Sequence, residues 1–233
     1  VGAGAVGCYF GGRLAGGGAR VVLIGRPAHV DAIKRDGLRL DTLQGHEVVR
    51  VEATTDIAAV AGAGLVLVSV KTPDTESTAS SLVPHLAPGT LVVSLQNGVD
   101  NAERMYRAGI PAFAAAVYVA VQMKGPGHVK HTGRGDLIVG DPLAEAGVVG
   151  RRRSALELIE RRFTGAGVPC RIADDLRAEL WIKLAMNCAY NAISALTGVR
   201  YGIIAGDAPC RAVIENVIGE LVAVAKAVGI PLD

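Results

Sequence analysis

Gly2, Gly4, Gly7, Gly11 and Gly12, followed by the run Gly16 to Gly18, crowd the start of this 233-residue sequence. Such a density requires tight turns or close backbone approach there. Within it, Val1-Gly2-Ala3-Gly4-Ala5-Val6-Gly7 reads G-x-G-x-x-G at the head of a helical stretch, Ala5 to Ala15. In a dinucleotide site the first glycine permits the turn, the second lets a pyrophosphate reach the backbone, and the third lets the helix pack closely. The pattern alone is weak, because a merely flexible glycine-rich start would look the same. Here an apolar strand, Val21 to Ile24, follows at βαβ spacing, although only Val1 stands for the strand that should lead into the loop.

The same rhythm continues. Leu65 to Val70 and Leu91 to Leu95 are short, continuously apolar and rich in valine, as buried parallel strands are. Ile57 to Ala61 and Ser77 to Leu86 have helical composition, and Leu38 to Leu40 faces Glu47 to Val51 across Gly45 as a hairpin. Pro111 to Met123, a Lys124-Gly125-Pro126-Gly127 turn, His128 to His131 and Asp136 to Val139 read as antiparallel strands closing the sheet. After about residue 151 long helical stretches take over: Arg151 to Phe163, Asp175 to Leu196 and Pro209 to Val228, with one extended piece, Val168 to Ile172. The predicted fold class is α/β, a Rossmann-type doubly wound sheet over residues 1–173 followed by an all-helical second domain over 174–233. The basic run Arg151 to Arg153 with Arg161 and Arg162 is interleaved with Glu157 and Glu160 and reads as a solvated helix face.

In open α/β sheets ligands bind at the C-terminal ends of the strands. An acidic residue after the second strand would accept from the ribose 2′-hydroxyl of NAD, but this chain has Gly25-Arg26. A guanidinium fork matches a 2′-phosphate, so Arg26 points to NADP(H), against the alternative of an ordinary surface arginine. Lys71 and Asn97, the latter in Gln96-Asn97-Gly98, follow the next two strands and fall on the same edge. Singly, each would read as a solvated lysine and a turn asparagine.

The clearest catalytic pattern is Lys183-x-x-x-Asn187-x-x-x-Asn191. At helical spacing these three fall within about 80° of one another, and Ser194 joins the stripe. The rest of the circumference is almost wholly apolar, which predicts a buried helix with a narrow polar cleft. Polar groups in such a cleft need a ligand, water or polar partners.

Other classes are excluded by composition. Twenty-four Lys and Arg against 22 Asp and Glu leave +2, too balanced for a nucleic-acid or anionic-membrane partner. Aromatics make up 4%, too few for a base-stacking surface. Apolar runs stay well short of the roughly 18 residues of a spanning helix. Cys8, Cys170, Cys188 and Cys210 show no disulfide or metal spacing, consistent with a reducing cytoplasm. His128 and His131 stand three apart on a strand, on opposite faces, and suggest no metal.

With these residues in view the chain resembles the ketopantoate reductase family over essentially its whole length. The resemblance rests on Gly2 to Gly7, Ser69-Val70-Lys71, Leu95-Gln96-Asn97-Gly98-Val99, Pro126-Gly127 with His131-Thr132-Gly133, and Lys183-Leu184-Ala185-Met186-Asn187 with Asn191. It implies NADPH-dependent reduction of a 2-keto acid, in pantothenate biosynthesis if the substrate is ketopantoate. By position it implies Lys183 as proton donor, Asn187 and Asn191 as substrate contacts, and Asn97 as shared by cofactor and substrate. Gly2, Ala3, Gly4, Ala5, Val6, Gly7, Arg26, Lys71 and Ala120 match cofactor-side positions. The active site is expected in the cleft between the two domains, and a homodimer is an assembly to test for.

The sequence departs from the family pattern at Tyr201-Gly202, where an Asn-Gly is expected to help hold substrate. It also ends at Asp233, before the helices on which the family carries a substrate-binding Ser and an active-site Glu, so the resemblance implies a longer protein. Two rivals share parts of the pattern. A β-hydroxyacid dehydrogenase also uses Lys-x-x-x-Asn on a helix, though Gln96-Asn97-Gly98 favours the ketopantoate reductase side. A non-catalytic NADP(H) sensor would keep the glycine loop but need no Lys183 stripe.

Overall fold

The computed structural model describes residues 1–143, 151–230 and 232, apart from the side chain of Arg151. The chain divides into two compact units, Val1–Leu176 and Arg177–Asp233.

The first unit is mixed α/β. Helix α1 (Ala5–Gly16) is followed by β1 (Val22–Ile24), α2 (Pro27–Asp36), the hairpin β2 (Leu38–Thr42) and β3 (Gly45–Val49), and β4 (Glu52–Thr54). Then come β5 (Leu65–Val68), α3 (Thr75–Leu82), β6 (Leu91–Ser94), α4 (Asn101–Arg107), the long pair β7 (Phe113–Gly125) and β8 (His128–Gly140), α5 (Arg151–Gly165) and β9 (Cys170–Ile172). Strands β5, β6 and β7 pair in parallel, β7 and β8 antiparallel, and β8 continues to β2 and β3 on one path and to β9 off it. Among the described residues strand β1 pairs with β4 alone, in a separate two-stranded sheet.

Residues 1–3 join the two sheets. Val1 donates to the Leu67 carbonyl at 2.6 Å and accepts from the Ser69 N–H, while the Gly2 and Ala3 N–H groups both donate to the Ile24 carbonyl. A cavity of about 700 Å³ runs along this seam, lined by Val22 to Ile24 on one side and Gly64 to Leu67 on the other. It flanks the strands, and neither Arg26, Lys71 nor Asn97 lines it.

Glycine in a helix interior costs about 1 kcal/mol relative to alanine, so the glycines of α1 need a packing reason. A β-carbon at Gly11 would meet the Leu23 side chain at 2.8 Å, and one at Gly12 would meet Leu40 at 2.7 Å. The bare helix face therefore lets α1 lie against the strands. Phe10 is fully buried and meets Phe163 of α5 edge-on, with centroids 6.0 Å apart. Ile33, Leu38, Leu40, Leu137 and Ile159 belong to that core, and Val66, Val68, Leu82 and Met105 to a second one. Burying each such side chain contributes roughly 1.5–3 kcal/mol.

Several expected elements differ in extent. Ile57–Val60 is a single 3-10 turn capped by Asp56, whose carboxylate accepts from the Ala58 N–H at 2.9 Å. Helix α3 begins two residues before Ser77 and yields to a 3-10 turn at Val83–His85, where Pro84 lacks the N–H needed to continue. Helices α2 and α4 and strand β4 were not anticipated. The basic face is also only partly solvated: Arg152 donates to the Pro111 carbonyl, pairs with Asp141 and lies 4.2 Å over the Phe113 ring. Arg153, Arg161 and Arg162 are exposed as expected.

The second unit comprises most of α6 (Leu176–Thr197), α7 (Tyr201–Gly206) and α8 (Ala208–Ala227). Gly198, at φ 69°, ends α6, and the Asp207 carboxylate caps α8 by accepting from the Cys210 N–H at 3.0 Å. Ala189, Ile204 and Ile214 form its small core. Helix α6 is not the buried helix its composition suggests, since Ile182, Met186 and Leu196 are exposed.

Candidate functional site

Hydrogen bonds gather the glycine loop and three strand ends at one edge of the first unit. Ser69, just past β5, donates from Oγ to the carbonyls of Val1 and Gly2 at 3.1 and 2.9 Å. Gly2, at φ 90°, and Gly7 are packed to the limit, because added β-carbons would fall 2.7 Å from the Val70 nitrogen and 2.3 Å from the Gly2 oxygen. Gly4 is the opposite case: a β-carbon there would meet nothing within 4 Å. Gly4 is also the N-cap residue of α1, whose first turn carries no acidic side chain. First-turn N–H groups lack intrahelical partners and carry the positive end of the helix dipole. Open space over Gly4 at such a terminus fits a pyrophosphate.

Arg26 stands two residues beyond Ile24, exposed, at the N-cap position of α2 ahead of Pro27, with no side-chain capping bond. Lys71 is exposed at the head of a short turn after β5. The next residue, Thr72, donates from Oγ1 to the Asn97 carbonyl at 3.2 Å, which ties the Lys71 and Asn97 loops together. Asn97 is exposed, and its carbonyl also accepts from Asn101 Nδ2 at 2.7 Å. Beneath it lies a buried polar network that sequence reasoning missed. Gln96 donates to Thr75 Oγ1 at 2.8 Å, Thr75 Oγ1 donates to Asn101 Oδ1 at 3.1 Å, and Ser94 donates to Gln96 Oε1 at 3.0 Å. Ala120 lies apart from this set, exposed on β7 opposite Gly133. The buried Cys8 thiol is pushed up to about 12 by desolvation, so it remains neutral behind the loop.

In the second unit, Asn187 and Asn191 share a cavity of about 310 Å³ with Met186 and Tyr190 of α6 and Tyr201, Gly202 and Ala205 of α7. Lys183, one turn earlier, is not among the lining residues. Burial lowers its ammonium pKa to about 8. Ser194 serves the fold instead of the stripe, donating to the Val199 carbonyl at 2.8 Å. Tyr190 was legible as a cavity residue, since at helical spacing it lies about 60° from Asn187. Among the described residues no group of His, Cys, Asp and Glu is placed to hold a metal, and no helix is long and apolar enough to cross a membrane. The four cysteines are unpaired.

A sheet with parallel strands β5, β6 and β7 and a glycine-rich loop at a helix N-terminus define a Rossmann-type fold of the dinucleotide-binding class. The family described as "Ketopantoate reductase PanE/ApbA" matches residues 1–143, and "Ketopantoate reductase PanE/ApbA C terminal" matches residues 175–233. The chain belongs to the ketopantoate reductase family. It is 30% identical over 233 residues to a 2-dehydropantoate 2-reductase of Pyrococcus abyssi, covering 100% of this chain and 75% of that one. With a 2-dehydropantoate 2-reductase of Halobacterium salinarum the identity is 32% over 237 residues, covering 100% and 76%. A crystal structure of a PanE/ApbA family ketopantoate reductase from Ralstonia eutropha JMP134 superposes with TM-score 0.86 at 47% identity, covering 100% of this chain and 74% of that one.

Proposed function

We propose that the protein reduces a 2-keto acid with NADPH, and that 2-dehydropantoate, reduced to pantoate in pantothenate and coenzyme A biosynthesis in the cytoplasm, is the substrate to test first. The observation that carries the reading is the cavity shared by Asn187 and Asn191 on α6, with Lys183 one turn earlier on the same helical face and its ammonium pKa lowered by burial to about 8. The relatives from Pyrococcus abyssi and Halobacterium salinarum bear the corresponding enzyme name.

Bound nicotinamide would supply the hydride to the keto carbon. The chain's own residues do the rest. The α1 N-terminus and the open face of Gly4 hold the pyrophosphate. Arg26, in the Gly25-Arg26 that follows β1 where an acidic residue would favour NAD, pairs with the 2′-phosphate, and Lys71 and Asn97 line the same edge. Lys183 stabilises the charge that develops on the carbonyl oxygen and then supplies the proton. A pKa of about 8 keeps it protonated at neutral pH and still able to release that proton. Asn187 and Asn191 donate to and accept from the substrate's polar groups without adding a competing charge.

The test is NADPH oxidation, followed by loss of reduced-nicotinamide absorbance, with 2-dehydropantoate, other 2-keto acids and, in the reverse direction, 3-hydroxy acids. Turnover of 2-keto acids is expected. Cofactor binding without turnover of any would overturn the proposal in favour of a sensor.

A further inference from the structure

The Tyr201 hydroxyl donates to Oδ1 of Asn191, and the Tyr201 ring lies 5.3 Å from that of Tyr190 with planes inclined by 36°. Both tyrosines and Met186 line the cavity that holds Asn187 and Asn191. A carboxamide presents one oxygen acceptor and two N–H donors. The bond from Tyr201 takes one of the two acceptor sites of the Asn191 oxygen and holds the Tyr201 ring beside Asn191 at the cavity. An amide side chain at position 201 would remove the ring and place both a donor and an acceptor beside Gly202.

We propose that Tyr201 is a specificity-determining residue that selects 2-keto acids with an apolar side chain. It does so by laying an aromatic surface with Tyr190 along the cavity, against which an apolar substrate side chain packs. The proposal rests on the reading that this chain reduces 2-keto acids at α6. A hydroxyl laid against an aromatic surface forfeits part of its hydrogen bonding to water, and an apolar surface disfavours an added hydroxyl by up to about 100-fold. Tyr201 is half exposed on the short helix α7, so replacing it leaves the core of Ala189, Ile204 and Ile214 in place.

The test compares kcat/KM for 2-dehydropantoate with that for trimethylpyruvate, which has the same branched skeleton without the hydroxyl, and for phenylglyoxylate. Wild type, Tyr201→Asn and Tyr201→Phe are assayed in parallel. Wild type is expected to favour the two apolar acids. Tyr201→Asn should shift the ratio toward 2-dehydropantoate by about 10-fold, mainly through KM, whereas Tyr201→Phe, which keeps the ring, should retain the apolar preference. A ratio unchanged within about twofold in Tyr201→Asn, with NADPH affinity and thermal unfolding as in wild type, would overturn the proposal while leaving keto-acid reduction intact. Absence of turnover on all three acids by wild type would overturn both.

Discussion

Gly25 lies so close to Ala3 that a β-carbon added to it would sit 2.5 Å from the Ala3 Cβ. The glycine loop and the end of β1 are thus in direct contact, and Arg26 leaves from that point. Gly25→Ala should force the loop off β1, straining the bond from Ala3 N–H to the Ile24 carbonyl at 3.0 Å. NADPH affinity should fall about 10-fold or more, by a fluorescence titration, with a lowered Tm. Unchanged affinity would show that the loop does not hold the cofactor.

Arg26→Ala removes a charge-assisted partner for the 2′-phosphate, an interaction of about 1.5–3 kcal/mol. NADPH binding should weaken roughly 10-fold or more while NADH binding changes little. Titration of wild type and variant with both cofactors checks this, and equal wild-type affinity for the two would contradict it.

Thr75, itself fully buried, links Gln96 and Asn101 beneath the Asn97 loop. Thr75→Val keeps the shape but leaves the Gln96 amide and the Asn101 oxygen without that partner. Stability should fall by about 1–3 kcal/mol in urea unfolding, with Thr75→Ser close to wild type. Equal losses in both variants would point to packing instead of hydrogen bonding.

The glycine spacing made the loop and α1 legible because each glycine answers a steric demand, at Gly2, Gly7, Gly11 and Gly12. The strands β1, β5 and β6 were legible from apolar runs, though Ser69 and Val70 fall outside β5 because the chain turns there to bond Val1 and Gly2. Helix α2 was not read from Pro27 and Gly37, which bound it at φ values suited to a start and a stop. The Thr75–Gln96–Asn101 network was invisible because its members are 21 and 26 residues apart and meet only through the fold. The stripe on α6 reads in the sequence as Lys183, Asn187 and Asn191 joined by Ser194, yet Ser194 serves the helix end and Tyr190 shares the cavity.

The Lys183 pKa of about 8 also fixes a pH dependence. The ammonium is present below about 8 and lost above it, so keto-acid reduction should be level on the acid side and decline as pH rises through that value. For stability the sign is opposite. The unfolded chain holds this proton up to the ordinary value of 10.5, so Lys183 makes folding more favourable as pH rises from about 8 to 10.5. Lys183→Met should flatten that rise in unfolding free energy against pH, and an unaltered profile would show that the lysine is not desolvated.

The central claim is that Lys183 delivers the proton, and steady-state kcat of Lys183→Ala with saturating NADPH and keto acid tests it most directly. A loss of about 10²- to 10⁴-fold with NADPH affinity preserved is expected, while Asn187→Ala and Asn191→Ala mainly raise KM. Retention of near wild-type kcat by Lys183→Ala would mean that the proton comes from another group.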